Sequence, residues 1–271
     1  MSEVILVVPT RPERVATLLN AAKRLAALTG AAHINVLAVR EPIQVTALSA
    51  EELMSEVEAV IEAREFEQER VAALKAAFDR WDAEGGDAAT AARWVEAEGS
   101  AAAIIGERGS RADVVVAGQP AEDDGPARRA FRAALLGTDR PVLMVPPGAT
   151  AGFGRCVAIA WRDDKPALRA VIPALRWLTG ADQVHVLMGV RAKDGPTMPR
   201  VLLEHGIRAD LHVLPIGSGP FGQALLDKAH ALGADMLVMG AYAHSPLREL
   251  ILGGVTRTVL AHADLPVFMR H

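Results

Sequence analysis

Cysteine is almost missing from this 271-residue chain, where Cys156 stands alone. A single thiol excludes an internal disulfide and any zinc site built on paired cysteines. Because Cys156 opens an apolar run after Gly154-Arg155, the expectation is a thiol buried in a strand. Aromatic residues are scarce too, at 4% against 51% hydrophobic overall, so a sizeable core must be built from Ala, Val, Leu and Ile. Basic runs are absent and the net charge is −4. Binding to nucleic acid through phosphate neutralisation therefore has no footing. No apolar stretch approaches the ~20 residues that span a bilayer, so no membrane partner is expected. The opening "MSEVILVVPTRPER" has no basic leader, and the expectation is a soluble, cytoplasmic protein.

Several catalytic signatures are also lacking. There is no H-E-x-x-H, no Walker loop and no G-x-S-x-G elbow, which leaves zinc-protease, P-loop and serine-hydrolase chemistry without support. The eight histidines show no metal-ligand spacing. His230, His244 and His262 fall in the same region, yet surface or capping roles suit them better than a metal site. His262 fits a helix C-terminus, where a cation is favoured by the dipole. His185 alternates within a strand and reads as a satisfied interior or edge residue.

What is present is a repeated grammar. "LAALTGAAHINVLAVR" (25–40) resembles "LRWLTGADQVHVLMGVR" (175–191), with Leu-Thr-Gly recurring at an offset of 150. "SRADVVVAG" (110–118) matches "LGADMLVMG" (232–240) at 122, and "DRPVLMV" (139–145) matches "DLPVFMR" (264–270) at 125. The constant order and shrinking offset imply a duplication whose first copy carries an insertion. The stretch "PPGATAGFG" (146–154) reads as a linker, giving tandem domains over 1–146 and 154–271.

Each half alternates strands and helices. In the second, "RCVAIAW", "QVHVLMGV", "IRADLHVLP", "ADMLVMG" and "LPVFMR" read as strands. The helices read between them are "PALRAVIPALRWLTG", the short "TMPRVLLEHG", "FGQALLDKAHALG" and "VTRTVLAHA". Such alternation predicts an α/β fold with parallel sheets covered on both faces. In the first half, 49–86 predicts one long helix thick in glutamate. That face reads as solvated, with a partner-docking helix as the alternative.

Ligands of open parallel sheets sit beyond the carboxyl ends of the strands, where strand order reverses. Two kinds of corner qualify: the end of each first strand (Pro9-Thr10; Ala160 to Asp163), and the loop after each fourth strand (from Gly118; from Gly240). Only the second half places a glycine pair, Gly253-Gly254, before a helix. Backbone N–H groups there can meet phosphate, with Thr256 adding a hydroxyl. A packed strand-loop-helix corner explains the same glycines, so both readings stand.

At this loop, through "ADMLVMG", "LREL", "ILGG", "VTRTVL", "AHADLPVFM" and "VAIAWRDDKPALRAV", the chain resembles the universal stress protein family in its tandem form. The resemblance implies two domains, each an open five-stranded parallel sheet flanked by helices, of the adenine nucleotide alpha hydrolase-like type. It also implies pairing along the last strands, an intramolecular pseudo-dimer through 141–145 and 266–270. A further homodimer and an unidentified protein partner stay open. Nucleotide-binding members carry a G-x2-G-x9-G-[S/T] loop. Here Gly240 matches the first glycine, Ala243 replaces the second, Gly253 matches the third, and Gly254 replaces the Ser/Thr, followed by Val255 and Thr256. Arg162 stands where the family has a nucleotide-contacting Asp, with Asp163 and Asp164 beside it.

The implied ligand is ATP or AMP, with Mg²⁺ only alongside ATP. Its adenine would lie near Ala160, Trp161 and Val190, with Met239 close by, and its phosphates on Gly253 to Thr256. Trp161 can stack on the base or close the pocket floor, and Met239 suits the core equally well. The first half lacks the loop: "QPAEDDGPARRAF" places Glu122, Asp123 and Asp124 where phosphate would sit, and Thr10 near the family's Asp. It reads as degenerate for nucleotide. The expected function is a stress-response protein binding nucleotide in its second domain only. A nucleotide-free interaction module is the alternative. A weak ATP hydrolase is a third, with Asp163 or Asp164 and Mg²⁺ its only candidates and no evident catalytic base.

Overall fold

The computed structural model describes residues 3–42, 50–85, 91–121, 123–150, 152–190, 196–216, 220–241 and 254–271. The first half runs β1 (Val4–Val8), α1 (Val15–Thr29), β2 (His33–Arg40), α2 (Ala50–Glu84), β3 (Ala92–Glu98), α3 (Ala101–Gly109), β4 (Val114–Gly118), α4 (Gly125–Gly137) and β5 (Val142–Val145). The second runs β6 (Cys156–Trp161), α5 (Lys165–Leu178), β7 (Gln183–Val190), α6 (Arg200–Glu204), β8 (Asp210–Pro215), α7 (Phe221–Ala231), β9 (Met236–Gly240), α8 (Gly254–His262) and β10 (Val267–Arg270).

All ten strands form one sheet in the order β3-β2-β1-β4-β5-β10-β9-β6-β7-β8. Within each half every pairing is parallel. The halves join where β10 runs antiparallel to β5, with Val267 opposite Met144 and Met269 opposite Val142. The central strands are apolar on both sides because helices cover both faces. One face packs α1, α2, α5 and α6 over Val7, Val36, Val157 and Val186. The other packs α3, α4, α7 and α8 over Leu6, Leu37, Ala158 and Leu187.

The repeats recognised in the sequence turn out to be structural devices. Asp113, before β4, accepts the Val4 N–H at 2.8 Å. Its counterpart Asp235, before β9, accepts the N–H groups of Gly154, Arg155 and Cys156 at 2.8, 3.0 and 3.2 Å. Each carboxylate thus ties the amino end of the neighbouring strand. Arg14 donates to the Val145 carbonyl at 2.8 Å, and Arg169 donates to the His271 carbonyl at 3.4 Å, so each half also anchors the end of its last strand. Across the joint, Gln119 donates to the Leu260 and Ala263 carbonyls at the end of α8. Arg24 donates to the carbonyl of the fully buried Phe153, and Arg176 pairs with Glu3.

Helix α2 buries Val71, Leu74, Phe78 and Trp81, whereas Val57, Ile61 and Phe66 nearer its start are exposed. The short helix read over 197–206 is shorter still. Pro199 caps α6 at one end, and Gly206, at φ 66°, turns the chain away just after the other. Cys156 is half-buried in β6; its Sγ lies near the Gln183 amide and the Leu232 carbonyl. Burial pushes this thiol's pKa up and the Asp235 charge adds to the shift, which keeps it protonated and unreactive.

Candidate functional site

Strand order reverses beside β1 in the first half and beside β6 in the second. Those are the places where a crevice opens at the carboxyl ends of the strands.

In the second half, Ala160 of β6 lies opposite Met239 of β9 and opposite Leu187 of β7. Ala160 and Met239 face α7 and α8. Trp161 points the other way, into the core beneath α5, and is only 9% exposed. It therefore forms floor on the far face and does not share a wall with Ala160. Arg162 follows it at the rim, where its guanidinium pairs with Asp164. Asp164 is already engaged as the N-cap of α5, accepting the Ala167 N–H at 2.9 Å. Val190 ends β7, its backbone opposite Pro215.

Gly240 ends β9 beneath the first turn of α5. A β-carbon there would lie 2.5 Å from the Pro166 carbonyl carbon and 2.6 Å from the Ala167 nitrogen. Glycine is required at this position for close packing of backbone on backbone. Its counterpart Gly118 has open space where a β-carbon would go. Helix α8 begins at Gly254, which is exposed and likewise has room around it. Val255 is half-buried and Thr256 is buried against the sheet. Ala243 and Gly253 lie outside the described residues.

One aromatic residue escaped the reading of the sequence. Phe221, at the start of α7, lays its ring over Gly189 of β7, 2.7 Å from where a β-carbon would stand. A glycine inside an apolar strand signals such close approach, and "VLMGV" carried that signal. The half-buried Phe221 ring thus sits on the same face as Ala160 and Met239.

The first-half corner is a small cleft lined by Val8, Thr10, Val39, Glu41, Arg70 and Pro126, among others. Ion pairs brace its rim. Asp124 is buried; it caps α4 through the Ala127 N–H and accepts from Arg11 at 2.5 Å. Glu41 accepts from Arg129 at 2.7 Å and from the Ala101 N–H at 3.1 Å. Burial pushes the Glu41 pKa up, but the bonds from Arg129 and Ala101 outweigh it and leave the carboxyl below its ordinary value. Arg70 reaches from α2 to the Val39 carbonyl while pairing with Glu67.

His230 pairs with Asp264 at 2.6 Å, and His262 binds the Thr258 carbonyl in the last turn of α8. His244 lies outside the described residues. Among the described residues no cluster of three or more His, Cys, Asp or Glu is placed to hold a metal, and no helix is long and apolar enough to cross a membrane.

Residues 203–271, holding β8, α7, β9, α8 and β10, match the model of the universal stress protein family. That match covers the last 69 residues, about a quarter of the chain. The whole chain shares its fold with solved structures. A universal stress protein from Archaeoglobus fulgidus superposes with a TM-score of 0.68 at 18% identity, covering 100% of this chain and 96% of that one. A functionally unknown protein from Pseudomonas aeruginosa gives 0.57 at 15% identity, covering 99% and 92%. A putative universal stress protein, also from Pseudomonas aeruginosa, gives 0.56 at 15%, covering 100% and 93%. Among curated proteins nothing matches. The universal stress protein fold thus extends over both halves, and the family match itself falls on the second.

Proposed function

We propose that this stress-response protein works by binding an adenine nucleotide, ATP or AMP, through its second domain (154–271) alone, while the first domain (1–146) serves as its structural partner. The observation that carries this reading is the contrast between the two corners. In the second half, α8 starts at the exposed Gly254, where an added β-carbon would meet no atom among the described residues. N–H groups and dipole there both favour phosphate. In the first half, the corresponding N-terminus of α4 is taken by the Asp124 carboxylate and its Arg11 partner. Overall charge points the same way: residues 151–271 hold 13 Lys and Arg against 10 Asp and Glu, residues 1–150 hold 16 against 23.

The base rests on the face shared by Ala160, Met239 and Phe221, and the phosphates on Gly254 to Thr256. Mg²⁺ enters only with ATP, and no hydrolytic step is assigned. Asp164 is engaged as a helix cap and in its pair with Arg162, so it does not stand free as a base.

The test is Gly254→Asp. Space around Gly254 accommodates the side chain, and an acid in the first turn favours the helix by about 0.3–1 kcal/mol. The same carboxylate repels phosphate. The wild-type protein gains thermal stability with ATP-Mg²⁺ or AMP, and the variant folds but gains none. A specific observation favours a second reading, docking of a protein partner without nucleotide: Val57, Ile61 and Phe66 stand exposed on the glutamate-rich α2. Wild-type protein indifferent to millimolar nucleotide leaves that second reading in possession.

A further inference from the structure

His185 and His212 are joined across the last two strands of the second half. His212 Nε2 lies 3.2 Å from His185 Nδ1, with the rings edge to face. In the register His212 is opposite Leu187, so it meets His185 on the diagonal of one sheet face. His185 is only 6% exposed, and its Nε2 is buried with no partner among the described residues. Strand β8 is the edge of the sheet, held laterally by β7 alone.

We infer that the His185–His212 bond is an acid-released latch on the edge strand β8. With both rings neutral, the bond that avoids a buried, unpaired N–H has His185 donating from Nδ1 to His212 Nε2, which leaves its own buried Nε2 bare. Adding one proton to either ring while keeping the bond forces an N–H onto His185 Nε2. If His212 takes the proton, its Nε2–H must donate, and the His185 proton moves from Nδ1 to Nε2. If His185 takes it, Nε2 is protonated directly. Either way a donor is buried without an acceptor, which costs more than an exposed, solvated imidazolium. The pair accommodates the proton by parting, with His212 turning out to water and β8 loosening.

The neighbouring charges are few. Lys228 on α7 opposes a proton on His212, as does His185 itself. Asp210 favours one, but it is 3.8 Å from His185 and largely exposed. Burial first, then Lys228 and His185, hold the His212 pKa below its ordinary 6.5. A histidine so shifted binds fewer protons folded than unfolded. Its site is therefore fully stable above about pH 6.5 and loses stability as pH falls through that value towards the lowered pKa.

Hydrogen exchange of the full chain at pH 7.5 and pH 5.0, corrected for the intrinsic rate, reads the latch directly. Peptides covering 210–216 lose protection in acid. Peptides of β4 keep theirs. In the double variant His185→Gln, His212→Gln, an amide pair that cannot titrate, the acid-induced loss disappears. Equal protection of β8 in wild-type protein at both pH values overturns the inference, and so does an undiminished acid loss in the double variant.

Discussion

Two glycines at matching places in the repeat have opposite roles. Gly240 lies under the Pro166-Ala167 backbone, and Gly118 under open space. Gly240→Ala should therefore cost about 1–3 kcal/mol by overpacking against backbone that cannot swing aside, whereas Gly118→Ala stays within about 0.5 kcal/mol of wild type. Urea midpoints of the two variants check this, and equal effects would contradict the packing. The sequence aligned these residues through "VVVAG" and "LVMG" and matched Gly240 to the first glycine of the nucleotide loop. Which backbone would approach it was illegible, because that depends on how far α5 overrides the end of β9. Phe221 was overlooked for a related reason: its contact with Gly189 joins elements 32 positions apart.

Among the elements, apolar or alternating runs marked the strands of the second half, and glycine stops marked the ends of α5, α6 and α7. Strand order and register were another matter, since they arise from long-range pairing that no local pattern encodes. The repeated Asp before β4 and β9 is such a case, conspicuous in sequence but explained only by the neighbouring strand it ties. Asp235→Ala, which orphans three N–H groups, should destabilise by about 2 kcal/mol or more, and Asp113→Ala by less because one side-chain bond is lost. Thermal melts of the pair rank them. Glu41 links β2 to α3 and α4. Its folded pKa lies below 4.5, so its contribution is present above that value and is lost as pH falls through the folded pKa. Glu41→Gln should lower the urea midpoint at pH 7, and the difference from wild type should vanish in acid. A difference that persists below the folded pKa would contradict the ion-pair account.

At the scale of the molecule, two unlike halves with the same strand order form a single ten-stranded sheet, joined at β5 and β10 and braced by Gln119 on the end of α8. One half closed its corner with Arg11 and Asp124; the other kept an exposed helix start at Gly254. The tandem fold was legible because each copy repeats the same strand and helix grammar. The nucleotide reading had less to rest on, because Ala243 and Gly254 depart from the family's phosphate loop. Calorimetric titration of ATP-Mg²⁺ and AMP into wild-type protein and Gly254→Asp tests the central claim most directly. The account predicts one site per chain in the wild type, and a stabilisation near 2.7 kcal/mol at a hundredfold excess over Kd. In the variant that site should be lost. No heat with wild-type protein at millimolar nucleotide, or unchanged binding by Gly254→Asp, would contradict it.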